Sequence, residues 1–390
     1  MYDVINIDKR FVMPNRASRI GARATAVRAG ASALRDQFDG RPLLLTTPGS
    51  VNWITGGLSD PVDITATSDP VWVVDGPQGR AMIINEIEVP RLLEDFDIAN
   101  SDWELIGVPW YDPDAPLEAV AQFTGLRTEA LISDREGMGT NVMSEIVRTR
   151  MVLTEPERDD LRDLGALCAR ALEAGIDSWR PGRSTDFDVA AAISYVLEQD
   201  GAKAVCLIVG GDSRMRSMRH PLAIGAVVHD ALMAVVVARR GGLHVAATRI
   251  AVRDAGDPIV ELCDELARVN DGVLEASLPG GTWGAAVNTL AAGYESIGRE
   301  GTWREHYQGG PIAYEQREFE LAPGMESSPF WNLETALGVA IAWNPSALGG
   351  AKIEDTYLVG ADGLELVTAS DAWPTAAGGL GARSQVKIVQ

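Results

Sequence analysis

The chain has four histidines, and two of them sit where a side chain could move protons. His220 follows "RMRSMR" and precedes Pro221, which places it on a loop, and loops carry chemistry more often than cores do. His306 opens the stretch "HYQGGPIAYEQRE". An imidazole that titrates near neutrality can serve in turn as base and acid. For His220 the alternative is a solvated histidine among arginines. For His306 it is a hydrogen-bonded histidine at a strand end. His244 lies within an apolar hairpin, where a core histidine competes with a pocket one, and His229 reads as a surface residue. The three cysteines, Cys168, Cys206 and Cys263, are far apart and make no CxxC or Cys/His spacing. Neither a disulfide framework nor a zinc ribbon is indicated.

The elements that must position these groups are legible in the apolar patterning. A length of 390 residues suits two domains, and nearly half of it is apolar, enough for a sizeable core. Up to residue 153 strands and helices alternate. "RASRIGARATAVRAGASALRDQF" has helical spacing, and "RPLLLTT" reads as a buried strand. "PGSVNWITGG" reads as a glycine-punctuated loop, and "DPVWVVD" and "GRAMIIN" as strands joined by the turn "GPQG". This predicts an α/β N-terminal domain over 1–153. Thr154 and Glu157 then form a capping box with Pro156 early in the following helix. Over 154–390 the pattern is a helix pair, a strand and a hairpin turning at Gly241–Gly242, a second helix pair, and more strands, among them "GPIAYEQRE" and "AKIEDTYLVG". That doubling predicts an α+β domain, a pseudo-symmetric antiparallel sheet backed by two helix pairs.

Charge narrows the partners. With 34 Lys plus Arg against 55 Asp plus Glu, the formal net charge is −21. This argues against nucleic acid and against an anionic membrane surface, both of which need basic patches. The N-terminal "MYDVINIDKRF" lacks the apolar core of a secretory signal. The most apolar run, "AIGAVVHDALMAVVVARR", is broken by His229 and Asp230. A cytoplasmic protein acting on a small molecule is expected.

The order of loops and strands resembles the creatinase / aminopeptidase P / methionine aminopeptidase superfamily (M24), the pita-bread fold. Four segments carry the resemblance. "GGDSRMRSMRHPLA" matches the substrate-histidine loop, with His220 at the histidine position, and "MAVVVARRGGLHVAATRIAV" matches the hairpin ending in Thr-Arg. "HYQGGPIAYEQRE" matches the Gly-His-x-Ile-Gly segment, and "AIAWNPSALGGAKIEDTYLV" the closing strands. Metallopeptidases of this superfamily hold two metal ions with two Asp, one His and two Glu, since paired cations need several carboxylates to neutralise and bridge them. Here the corresponding positions are Val235, Ala246, Gly310, Asn344 and Glu354. Only Glu354 is kept, and no Asp or Glu lies anywhere from Ala231 to Ile250. The second peptidase histidine falls at Arg317, whose fixed charge cannot shuttle a proton. No metal and no cofactor is therefore expected.

Creatinase, a metal-free member, implies a different use of the scaffold: a hydrolase that cleaves a C–N bond of a small polar substrate, with His220 as the proton-transfer group, His306 as a second one, and Glu354 holding a cationic nitrogen. Glu354 has the alternative of an internal ion pair with Lys352 or Arg249. Asn344, a neutral amide in place of a carboxylate, would bind a polar ligand. Arg239 and Arg249 would grip a carboxylate if they face the cavity, and are otherwise structural. Arg317, Tyr314, Trp343 and Trp53 are further candidates for the pocket wall. The resemblance also implies a homodimer in which the region around Asn52 and Trp53 of one subunit closes the other's pocket. The competing readings are a non-catalytic binding protein on the same scaffold, as in its histone-chaperone and proliferation-associated members, and a metallopeptidase or lyase with a relocated site.

Overall fold

The chain divides into two compact units that meet between Asn141 and Val142. The computed structural model describes residues 16–58, 70–95, 101–378 and 381–389. The N-terminal "MYDVINIDKRF" lies outside the described residues. In the first unit, α1 (Arg16–Ala26) and α2 (Arg28–Asp36) precede β1 (Leu43–Leu45), α3 (Pro48–Thr55), β2 (Val71–Gly76) and β3 (Gly79–Asn85). Then come α4 (Val89–Asp95), β4 (Trp103–Val108), α5 (Ala115–Thr124), β5 (Ile132–Ser133) and β6 (Thr140–Asn141). The strands form one six-stranded sheet in the order β4-β3-β2-β1-β5-β6. The β1–β2 and β2–β3 pairs are antiparallel and the others parallel. Leu44, Val74, Ile83 and Val120 form the centre of its core.

One segment differs in kind from the sequence reading. "PGSVNWITGG" is not a loop but the buried helix α3. Pro48 occupies its first turn, where a missing N–H costs nothing, and Gly56, at φ 75°, closes it in the left-handed conformation. These are start and stop signals at close quarters, and a helix of only eight residues lies between them, too short to show a period in the sequence.

The second unit begins with α6 (Met143–Arg150), α7 (Glu155–Ser178), α8 (Asp186–Gln199), β7 (Lys203–Gly211) and α9 (Asp212–Ser217). β8 (Ala231–Arg240), β9 (Leu243–Val252), α10 (Pro258–Ala276) and α11 (Trp283–Ser296) follow. The remaining strands are β10 (Gly309–Pro311), β11 (Ala340–Trp343), β12 (Ser346–Ala347), β13 (Ala351–Lys352), β14 (Tyr357–Gly360) and β15 (Gly363–Leu366), with β16 (Thr375–Gly378), β17 (Gly381–Ser384) and β18 (Lys387–Ile388) last. The predicted boundary at 153 lies some way beyond the junction. Val147 and Met151 enter the core of the second unit, which draws α6 into it.

Two helix pairs, α7/α8 and α10/α11, back two four-stranded sheets, β18-β9-β8-β7 and β10-β11-β14-β15. The sheets are stitched along β9. His244 N–H donates to Ala313 O at 2.7 Å, and Thr248 N–H to Glu354 O at 2.9 Å. Between them Ala246 N–H donates to Thr356 Oγ1 at 2.9 Å. The β8–β9 hairpin turns at Gly241 and Gly242, both at positive φ (54° and 79°), the combination that a tight two-residue turn needs. The predicted capping box is present, with Thr154 N–H donating to Glu157 Oε2 at 2.7 Å. The segment after β10 does not continue as the predicted strand. It folds back at Tyr314–Glu318, where Glu318 Oε1 accepts Tyr314 N–H at 2.7 Å.

The loop from α9 to β8 carries His220 and is held by two carboxylates. Asp212, at φ 51°, accepts the N–H groups of His229, Asp230 and Ala231 at 2.8–3.1 Å. Fully buried Asp186 accepts those of Ile224, Gly225 and Ala226, the shortest at 2.7 Å. Removing the second anchor strands three backbone donors. Asp186→Ala should lower unfolding free energy by about 3 kcal/mol in urea titration, and Asp186→Asn by less.

Candidate functional site

Within the second unit a cavity of about 540 Å³ opens at the seam of the two sheets. Its apolar floor comes from one face of the first sheet. Ile208 on β7 pairs with Val235 on β8, and Val237 pairs with Ala246 on β9. Strand alternation sends all four side chains the same way, and all line the cavity. The polar groups arrive from loops and from the second sheet: His220, His306, Arg317, Asn344, Lys352 and Glu354.

Glu354 is buried at the centre of this group. Its Oε2 accepts from Thr248 Oγ1 at 2.7 Å and lies 3.4 Å from Lys352 Nζ. Its Oε1 accepts from Asn344 Nδ2 at 3.2 Å. That contact sets the amide's orientation, since the reverse would face oxygen to oxygen. Asn344 Oδ1 is consequently a buried acceptor with no protein donor. Lys352 and Glu354 are two apart on an extended segment and so share a face.

The two candidate proton carriers face one another, with ring centroids 6.4 Å apart and planes at 79°. The Ser346 hydroxyl bridges His306 Nε2 and the guanidinium of Arg219, which itself pairs with Glu305. Burial, then the nearby Lys352 ammonium, push His306 down to about 3. Burial first and Lys352 second also lower His220 below its ordinary value. Both rings are thus neutral at neutral pH, the form that accepts a proton.

His220, His306, Glu354, Asn344 and Arg317 therefore meet in one cavity. The other residues singled out in the sequence lie elsewhere. Arg249, on the opposite face of β9, is buried in an ion pair with Asp355 at 2.8 Å and donates to Thr368 O at 2.6 Å. Trp343 points into the core from the strand that turns Ala342 to the cavity, and its Nε1 donates to Ser277 Oγ at 2.9 Å. Tyr314 is buried with its hydroxyl on Glu157. Arg239 is buried beside His244 in the β8–β9 register and does not line the cavity. Trp53 is buried on α3 of the first unit. For Arg249, Tyr314 and Trp343 the reason is common: each has the core partner that a large buried polar or aromatic side chain requires. Glu318 is likewise taken up, by Arg150 Nε at 2.8 Å. His244, held by Ala313 O at 3.1 Å and pushed down to about 3 by burial, is a core histidine. Lys352 entered the sequence reading only as an ion-pair partner. The signal for its role was its i−2 spacing from Glu354.

The residues present do not fit a dinuclear metal centre. Val235 and Ala246 offer no ligand, Asn344 is neutral, and an ammonium occupies the flank of the one carboxylate. Among the described residues no three His, Cys, Asp or Glu side chains are grouped to hold an ion. At Gly310 (φ 136°) a Cβ would meet nothing within 4 Å, and the backbone there is one that only glycine adopts readily.

Comparison with solved structures places this architecture. The dipeptidase PepE from Mycobacterium ulcerans superposes with a TM-score of 0.72 at 19% identity, over 94% of this chain and 98% of that one. The X-Pro aminopeptidase from Thermotoga maritima MSB8 gives 0.67 at 15%, over 92% and 100%. The N-terminal domain of FACT complex subunit SPT16 from Cicer arietinum gives 0.63 at 12%, over 90% and 96%. The fold is the pita-bread fold of the M24 peptidases: an α/β N-terminal unit followed by the pseudo-symmetric α+β unit. No protein-family model and no curated protein sequence matches the chain. No helix among the described residues is long and apolar enough to cross a membrane.

Two measurements test the electrostatics. Lys352→Met should raise the His220 imidazole pKa towards 6.5 in an NMR titration, because a neighbouring cation is gone; an unchanged titration would refute the coupling. The second concerns folding. His244 and His306 titrate near 3 when folded and near 6.5 when unfolded. Below pH 6.5 the unfolded chain binds protons that the folded one refuses. The contribution of these two histidines to stability should therefore fall as pH drops from 6.5 towards 3, by about 1 kcal/mol per pH unit per histidine, and be constant above 6.5. His244→Asn should reduce that fall in urea midpoints measured at pH 7 and pH 5.

Proposed function

We propose that the protein is a metal-independent hydrolase of creatinase type that cleaves a C–N bond of a small polar substrate. The observation that carries this reading is the convergence of His220, His306 and the Lys352–Glu354 pair in one cavity floored by Val235 and Ala246. Neutral His220 takes a proton from water, and the resulting hydroxide attacks the carbon of the scissile C–N bond. The same proton then passes to the leaving nitrogen as the bond breaks. The Asn344 Oδ1 acceptor receives a substrate N–H. Of the three N–H donors of Lys352, one faces Glu354 and the others remain for a substrate oxygen that gains charge. Glu354 holds Lys352 and Asn344 in place, beside the grip on a cationic nitrogen that the resemblance implies for it. The solved peptidases of this fold are hydrolases of C–N bonds, which supports the reaction class. The FACT subunit supports a binding protein as the second reading, and turnover separates the two.

A panel of creatine, simple amidines and N-acyl amino acids, followed by amine release, is the test. On whichever compound turns over, His220→Ala should cut kcat by about 10²–10⁴-fold, and a chelator should change nothing. Two stoichiometric transition metals by elemental analysis, or activity lost to a chelator, would overturn the proposal. A dimer by light scattering is expected.

A further inference from the structure

A second cavity of about 450 Å³ adjoins the first, a volume within the range of small-molecule sites. His306, Tyr307, Gly309 and Arg317 line both, so one thin wall separates the two chambers. Apart from these four, their linings are different residues. Val287, Leu290, Trp303, Leu321, Ala322 and Pro323 give the second its apolar wall, and Arg304, Glu305, Gln308 and Glu320 line it as well. It offers neither Lys352 nor Glu354. Two of the four form a stacked pair: the Arg317 guanidinium lies 4.3 Å from the Tyr307 ring centroid, and Tyr307 is 58% exposed. Arg317 is also held by Glu320 at 3.1 Å, with both side chains partly solvated. A partition built from one exposed aromatic and one long, partly solvated side chain can be displaced at lower cost than a packed strand.

We infer that the second cavity binds an aliphatic chain whose polar head sits in the first, so that the substrate class is an N-acyl amino acid with a medium-length acyl tail. This rests on the hydrolase reading for the bond cleaved, but not for the binding of the chain. The amino-acid carboxylate meets Arg317, the amide lies against His220, Asn344 and Lys352, and the acyl chain passes Tyr307 into the second cavity. Hydrolysis adds water across the amide and releases a fatty carboxylate and a free amine; no other reactant is needed.

Isothermal titration calorimetry with acetate, hexanoate and decanoate reads the chain directly. Affinity should rise by about threefold per methylene from hexanoate to decanoate. Ala322→Trp, which fills the second cavity from a partly exposed wall, should abolish that rise and leave acetate unaffected. An affinity independent of chain length, or a rise that survives Ala322→Trp, would overturn the inference. In the unaltered protein, omega-bromodecanoate should quench a fraction of the tryptophan emission that is missing in Trp303→Phe; no such difference would also overturn it. The two readings fail separately. Decanoate binding without turnover of N-decanoylglycine keeps the chain site and removes the hydrolase. Turnover of N-acetylglycine with no gain for N-decanoylglycine keeps the hydrolase and removes the chain site.

Discussion

A buried carboxylate without a counter-charge would cost several kcal/mol, and Glu354 sits at the meeting point of two sheets. The cavity is arranged around meeting that requirement. Thr248 comes from β9, Asn344 from the end of β11, and Lys352 from β13, so three separate strands converge on two oxygens. The backbone of Glu354 takes part as well, accepting the N–H of Thr248 that joins the sheets. One residue thus carries the seam through its main chain and the site through its side chain. Because an ammonium supplies the positive charge, the neighbouring positions on β8 and β9 need no further acids, and Val235 and Ala246 are free to be apolar.

The same ammonium sets the state of the histidines. A cation near two imidazoles in a partly dry cavity disfavours their protonation, and burial acts in the same direction. His220 is the more solvated of the two and sits on a loop tied down by Asp186 and Asp212. His306 is enclosed and fixed through Ser346. An anchored loop and the bend that follows the 3-10 turn Thr302–Glu305 therefore present two neutral bases at a defined separation.

Much of this was legible in the sequence. The helix pairs, the glycine hairpin and the capping box follow from period and turn chemistry, which are local. The ordered motifs placed His220, His306, Asn344, Arg317 and Glu354, because those segments run in a fixed order along the chain. What stayed hidden was direction. Arg249 and Trp343 neighbour cavity residues in sequence, yet strand alternation turns them away, and a one-residue uncertainty in register is enough to reverse a side chain. Lys352 was hidden for the opposite reason: it was treated as Glu354's partner and not as a member of the wall. The short helix α3 was missed because its caps nearly touch.

The glycines at 309 and 310 bear on how the protein could be redesigned. A Cβ at Gly309 would lie 2.0 Å from Ala342 O, and Gly310 holds φ 136°. Placing a metal ligand there is not a matter of exchanging one side chain, since the main chain would have to leave the left-handed region and re-pair with β11. Together with an ammonium already in residence, this backbone makes the cavity a poor starting point for installing a metal and a good one for varying organic ligands. Variation is open to the side chains of the walls, whereas the main chain at these two glycines opposes a coordinating side chain.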